Sequence, residues 1–198
     1  MADHYFSKVP ESMHRPMEFS ASFLGQKLVF ETDAGVFSRD GVDKGTELML
    51  NALPPISGSV LDLGCGWGAV GISLAKAYPL AKVTMVDINS RAAELSMKNA
   101  LRNGVSVHVH TSDGFEAVVD QQFSYIITNP PIRAGKQVIY GLFAQSASHL
   151  LPGGSLFLVI RKQQGAPSAI AFLETVFHCV RVVEKGGGFW VIQADTKA

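Results

Sequence analysis

Residues 60–68 read Val60-Leu61-Asp62-Leu63-Gly64-Cys65-Gly66-Trp67-Gly68. A short apolar run ends in glycines at alternate positions, and residues 69–77 continue with helical character. A strand that breaks at a glycine loop and resumes as a helix opens a parallel α/β unit. Closely spaced glycines turn the chain sharply and let a ligand approach the backbone.

Towards the C-terminus the alternation continues. Strands are expected over 82–87, 106–110, 123–128 and 155–160. Helices are expected over 90–103 with Ser90 as N-cap, over 138–151, and over 168–177. Residues 180–183 and 189–192 flank Gly186-Gly187-Gly188 and read as a closing hairpin. Continuous apolar strands separated by helices indicate a parallel sheet covered on both faces, and the hairpin adds an antiparallel pair. Towards the N-terminus, 40–53 has helical periodicity and stops at Pro54-Pro55. Residues 24–30 with 36–37 suggest a small hairpin about Asp33-Ala34-Gly35, and 1–22 read as an irregular arm.

Composition narrows the classes. Hydrophobic residues at 47% and charged residues at 17% suit a packed globular domain and argue against disorder. Lys plus Arg and Asp plus Glu stand at 17 each, so a nucleic-acid partner must be met by a local patch. Cys65 and Cys179 form neither a disulfide framework nor a zinc signature, and a reducing cytoplasm is expected. The start lacks an apolar signal segment, and no run of about 18 apolar residues exists, so no membrane span is expected. The histidines show no metal-ligand spacing; His108 and His110 share a strand face but stand without further ligands, so no metal is expected.

Ligands of such sheets bind beyond the carboxyl ends of the strands. Three chemically loaded segments fall there: the glycine loop, Asp87, and Asn129-Pro130-Pro131. Gly66, Gly68 and Gly71 satisfy a dinucleotide fingerprint, and Asp87 follows at about the distance of a ribose-binding acid, roughly 20 residues on, so an NAD-binding oxidoreductase is a rival. Asp62 argues against it. A carboxylate there repels a pyrophosphate by about 4 kcal/mol at ~4 Å and an effective dielectric of ~20, yet suits a ligand carrying an ammonium and a sulfonium. Asp113, in Ser112-Asp113-Gly114, is placed to accept from an adenine amine.

Two prolines after an apolar strand fix the backbone and push Asn129 to extended geometry. An amide oxygen and the Pro130 carbonyl, accepting the two N–H groups of an exocyclic base amine, would aim its conjugated lone pair at a methyl donor; such catalysis is positioning. No cysteine neighbours the Pro-Pro turn, which counts against a thiol adduct at cytosine C5. Ile132 is placed to pack on a base, and Arg133, Lys136, Arg161 and Lys162 to bind phosphate. Trp67 and Phe115 are expected as pocket walls.

These segments, with Gly35-Val36-Phe37-Ser38, Asp43, Gly45 and Val86-Asp87-Ile88-Asn89, resemble class I Rossmann-like S-adenosylmethionine-dependent methyltransferases. The likeness is to the small-domain family that modifies a 16S ribosomal RNA guanine at N2. It implies an α/β fold: a mixed seven-stranded sheet, last strand antiparallel, helices on both faces. Residues 1–40 are then an arm and small hairpin packed on the core, and 41–198 the S-adenosylmethionine-binding domain. The cofactor site is expected from Asp62, Gly64, Cys65, Gly66, Gly68, Asp87, Ile88, Asn89, Ser112, Asp113, Gly114 and Asn129. Within it Asp62 and the glycines take the methionine part, Asp87 the ribose, Asp113 the adenine. Asn129, Pro130 and Pro131 take the catalytic role; Phe37, Arg39, Ile132, Arg133, Lys136 and Arg161 meet the substrate. The expected partner is ribosomal RNA or the small subunit. Other members carry an additional N-terminal domain, whereas here the first core strand begins near Val60. Substrate alternatives are a protein amide or a small metabolite, and a non-catalytic RNA-binding module is a further alternative.

Overall fold

In the computed structural model, which describes residues 12–39 and 41–198, a two-stranded hairpin leads into a seven-stranded α/β sheet. The hairpin is β1 (Met17–Phe23) and β2 (Gln26–Thr32), antiparallel and followed by α1 (Lys44–Ala52). The sheet alternates with helices as β3 (Gly58–Leu63), α2 (Ala69–Ala77), β4 (Ala81–Asp87), α3 (Ser90–Arg102) and β5 (His108–Thr111). It continues through β6 (Phe123–Thr128), α4 (Lys136–His149), β7 (Leu150–Arg161), α5 (Ala166–Leu173), β8 (Cys179–Gly186) and β9 (Phe189–Asp195). Strand order is β5-β4-β3-β6-β7-β9-β8. The first five run parallel, and β9 lies antiparallel between β7 and β8, as the glycine hairpin anticipated.

Side-chain alternation along the strands builds a core on each face. Val60 of β3 joins the core under α1, α2, α3 and the hairpin; Leu61 and Leu63 join the one under α4 and α5. Both faces being covered explains why Ile126-Ile127 and Leu156–Ile160 are apolar without alternation. Each fully buried Leu, Ile or Phe contributes about 1.5–3 kcal/mol, so the sheet is a stiff base for what lies at its edge. Chain order reverses between β3 and β6, which opens a crevice where their carboxyl ends meet that of β4.

The hairpin differs from expectation. Met17–Phe23 form a strand where an irregular arm was expected, the turn is Leu24-Gly25, and residues 36–37 are a loop. Strict alternation in Met17-Glu18-Phe19-Ser20-Ala21-Ser22-Phe23 was the available signal. Leu24 and Gly25 both have positive φ, 50° and 74°, as a tight two-residue turn requires. Phe19 and Phe30 pack on Trp67, at 5.3 and 4.8 Å between centroids. Asn99 of α3 and Asn103, its C-cap, each bond both the N–H and the carbonyl of a β2 residue, Glu31 and Val29, covering that strand's edge.

Helix boundaries shift for identifiable reasons. Asp43 caps α1, accepting from Gly45 N and Thr46 N, so the helix starts at Lys44; Asp40 and residues 1–11 lie outside the described residues. Asn89, not Ser90, caps α3, accepting from Ala92 N. The strand expected at 155–160 begins at Leu150 and carries Pro152-Gly153-Gly154 within it, so α4 ends at His149. Pro167 lies in the first turn of α5, which starts at Ala166, two residues before Ser168. None of the described helices is long and apolar enough to cross a membrane.

Candidate active site

A cavity of about 390 Å³ lies over the crevice. Its floor at β3 and β4 carries Gly64, Gly66, Asp87 and Ile88. Ser112, Asp113 and Gly114 form one wall, and Asn129, Pro130 and Pro131 another. Phe37 reaches it from the β2–α1 loop. These are sequence-expected site residues, drawn together from five separate segments.

The glycine loop is held open by its own hydrogen bonds. Gly64 N and Cys65 N both donate to Val86 O of β4, at 2.9 and 3.0 Å, and Gly66 N donates to Asp87 Oδ2 at 2.8 Å. Gly66 has φ +58° with open space where a side chain would stand, so the loop runs along the cavity without filling it. Asp87 Oδ1 accepts from Asn89 N at 2.9 Å. The carboxylate is thereby aimed from two backbone donors. Burial raises its pKa, opposed by the N–H groups of Asn89, Gly66 and Ile88.

Four expected cofactor residues stand behind the wall. Asp62 is 2% exposed and accepts from Gly71 N at 2.8 Å. Burial pushes its pKa up to about 7, with the Gly71 N–H opposing and repulsion from Asp87 adding. Cys65 is buried beside Ser96, its thiol pushed up by burial first and then by Asp87 and Asp62, which makes it an inert thiol. Gly68 lies against Ile72 and Met85; a Cβ there would meet Ile72 Cδ1 at 2.5 Å. Asn89 is buried and donates to Gly35 O at 2.8 Å, while Arg91 Nη1 donates to Ala34 O at 2.6 Å; together they pin the loop that carries Phe37. Spacing in sequence groups these residues with the cavity residues because they share the loops; strand alternation and loop turns send their side chains behind it.

Trp67 and Phe115 do not line the cavity. Trp67 is buried between the hairpin and the loop, donating Nε1–H to Ser38 O at 3.3 Å, and Phe115 stacks on His149 at 4.3 Å. Arg39, Ile132, Arg133, Lys136 and Arg161 also lie outside the lining. Arg39 offers its carbonyl to Thr32 Oγ1 and its Nε is buried without a hydrogen-bond partner. Arg133, Lys136 and Arg161 are exposed, with Arg161 Cζ 4.3 Å over the Phe189 ring. Missed by sequence reasoning were the apolar walls. Val138 and Leu142 sit one turn apart on α4, and Val138 is 50% exposed, an apolar side chain on a cavity that a ligand would cover. Their spacing was visible; the direction of the helix was not.

Just beyond β6, Asn129 Nδ2 donates to Asp43 Oδ2 at 3.1 Å and to Thr46 Oγ1 at 3.0 Å, across 86 and 83 residues of chain. Both amide hydrogens are thus engaged away from any ligand. The amide presents its oxygen as an acceptor. Thr128 Oγ1 donates to Leu63 O at 2.8 Å and locks the end of β6 to that of β3.

The sequence profile of the methyltransferase small domain matches residues 27–193. The uncharacterized protein YbxB of Bacillus subtilis is 43% identical over 98% of both chains. Ribosomal RNA small subunit methyltransferase C of Vibrio cholerae is 35% identical over 81% of this chain and 48% of its own length. Among solved structures, T. thermophilus 16S rRNA N2 G1207 methyltransferase in complex with AdoMet and guanosine has a TM-score of 0.84 at 29% identity, over 92% of this chain and 51% of that one. The chain therefore spans about half the length of those ribosomal RNA methyltransferases and nearly all of YbxB. Fold, motifs and relatives agree: the chain belongs to the methyltransferase small-domain family of class I Rossmann-like methyltransferases.

Proposed function

We propose that this S-adenosylmethionine-dependent methyltransferase methylates the exocyclic amine of a nucleic-acid base, with guanine N2 of 16S ribosomal RNA as the target. The observation that carries the reading is the polarity of Asn129, which faces the cavity as an acceptor only. An acceptor selects a group that brings N–H bonds, as an exocyclic amine does. The relatives named as small-subunit ribosomal RNA methyltransferases support RNA over a protein amide.

The residues fit the donor. Asp87 meets the ribose hydroxyls, Asp113 the adenine amine, and Ile88, Val138 and Leu142 enclose the adenine between apolar surfaces. Bound there, S-adenosylmethionine supplies an electrophilic methyl group. Asn129 Oδ1 and the Pro130 carbonyl accept the two amine N–H bonds and turn the nitrogen lone pair to the methyl for in-line displacement. Phe37 borders the base, and the exposed Arg133, Lys136 and Arg161 take RNA phosphates. An enzyme of this kind takes the base unstacked.

The test is tritium-methyl transfer to 16S RNA and to small ribosomal subunits, followed by nucleoside analysis. Label in N2-methylguanosine, reduced to a slow residual rate by Asn129→Ala with S-adenosylhomocysteine binding retained, is expected. Label in protein, or in a nucleoside other than a guanosine, would send the substrate assignment elsewhere.

A further inference from the structure

We infer that Asp43 is a positioning residue for methyl transfer: it sets which end of the Asn129 amide faces the substrate. This rests on the reading of Asn129 as the amine acceptor and goes beyond it.

A primary amide has two ends of similar size and opposite polarity, and a 180° rotation exchanges them. Asp43 removes that freedom. A single atom, Oδ2, accepts from Gly45 N at 2.9 Å, from Thr46 N at 3.1 Å and from Asn129 Nδ2 at 3.1 Å. A carboxylate oxygen accepts and does not donate, so the Asn129 oxygen cannot face it without two acceptors in contact. Thr46 Oγ1 takes the second amide hydrogen. The helix cap is itself tightly packed. A Cβ on Gly45 would stand 2.8 Å from Asp43 Oδ2 and 2.8 Å from the Phe189 ring, so the first turn of α1 is seated directly against β9. The N-cap of α1 and the polarity of the catalytic amide are therefore one hydrogen-bond cluster.

Three variants separate positioning from mere structure. Asp43→Ser retains a side chain that caps a helix but is too short to reach Asn129. Asp43→Asn retains an oxygen at the cap that still accepts from Asn129. Asn129→Ala removes the group that Asp43 acts through. Asp43→Ser should lower kcat about 100-fold, the scale of a misplaced reacting group, with S-adenosylhomocysteine affinity unchanged. Asp43→Asn should restore most of the rate. In the Asn129→Ala background, Asp43→Ser should cost nothing further, because the two act as a unit. A substrate-independent readout is NMR exchange of the Asn129 side-chain amide protons, assigned by their loss in Asn129→Ala. They should exchange slowly in the parent and fast in Asp43→Ser. Fast exchange in the parent overturns the inference, whatever the substrate. So does an additive double mutant in an enzyme that methylates RNA. Slow exchange lost in Asp43→Ser, in a protein that transfers no methyl to RNA, upholds the amide clamp and overturns only the RNA reading.

Discussion

Asp62 and Asp87 lie near the carboxyl ends of neighbouring parallel strands, two residues out of register, and both are buried enough to have raised pKa values. They do different work. Asp87 lines the cavity and is aimed into it by two backbone N–H groups; Asp62 lies behind the wall and holds Gly71 at the start of α2. One carboxylate is placed to touch a ligand, the other to hold the loop that does. The largest expected effect breaks this contrast directly. If Asp87 takes the ribose as proposed, Asp87→Ala deletes the acceptor of two hydroxyls, each such bond worth about 1.5–3 kcal/mol, and should weaken S-adenosylhomocysteine binding about 100-fold or more by calorimetry. A loss as large from Asp62→Asn, which keeps shape and the Gly71 acceptor, would erase the distinction.

Asp62 has its own signature in stability. Its carboxyl keeps a proton in the folded state up to about pH 7, whereas the unfolded chain loses it near 3.8. The folded form binds more protons across that window, so stability falls as pH rises through it. The integrated effect is up to about 4 kcal/mol, as 1.36 kcal/mol accompanies each pKa unit. Urea unfolding of the cofactor-free protein at pH 4.5 and pH 8 should show the parent losing more stability than Asp62→Asn. Equal pH slopes would mean that the buried carboxyl ionises without penalty.

The same contrast marks how far the site was legible. The strand-loop-helix order, the switch point and the antiparallel closing strand follow from apolar runs and glycine turns, which are local patterns. That Asp87, Asp113 and Asn129 would line one cavity was legible because residues at strand ends have one crevice to meet in. The direction a side chain takes from a loop is not local. Cys65 and Asn89 lie one residue from Gly66 and Ile88, yet turn inward, where Cys65 meets Ser96 and Asn89 caps α3. Asp43 was visible as part of a motif, but its bond to Asn129 spans 86 residues and depends on tertiary packing such as the seating of the first turn of α1 against β9.

The cations of the rim pose the comparison again at lower stakes. Arg133 is an exposed side chain beside the Pro-Pro turn; Arg161 is exposed too but braced over Phe189. If Arg133 neutralises one phosphate, Arg133→Ala should weaken RNA binding uniformly across sequences and reduce the slope of log affinity against log salt by about 0.7–0.9. An unchanged slope in filter binding from low to physiological salt would remove it from the interface.

Arg161→Lys should give the smallest change. The positive charge stays, so the salt slope should match that of the parent. What goes is the planar guanidinium on the ring, a contact worth about 0.5–1 kcal/mol at an exposed site, so if RNA is the partner its affinity should fall by two- to five-fold at most. The ring is the same one that abuts Gly45, so Arg161 and the cap of α1 share Phe189 as a support. A slope that falls in Arg161→Lys would show that the ammonium no longer reaches the phosphate. Wild-type affinity with wild-type slope would show that Arg161 acts through its charge alone, and that bracing matters at the two aspartates but not at the rim.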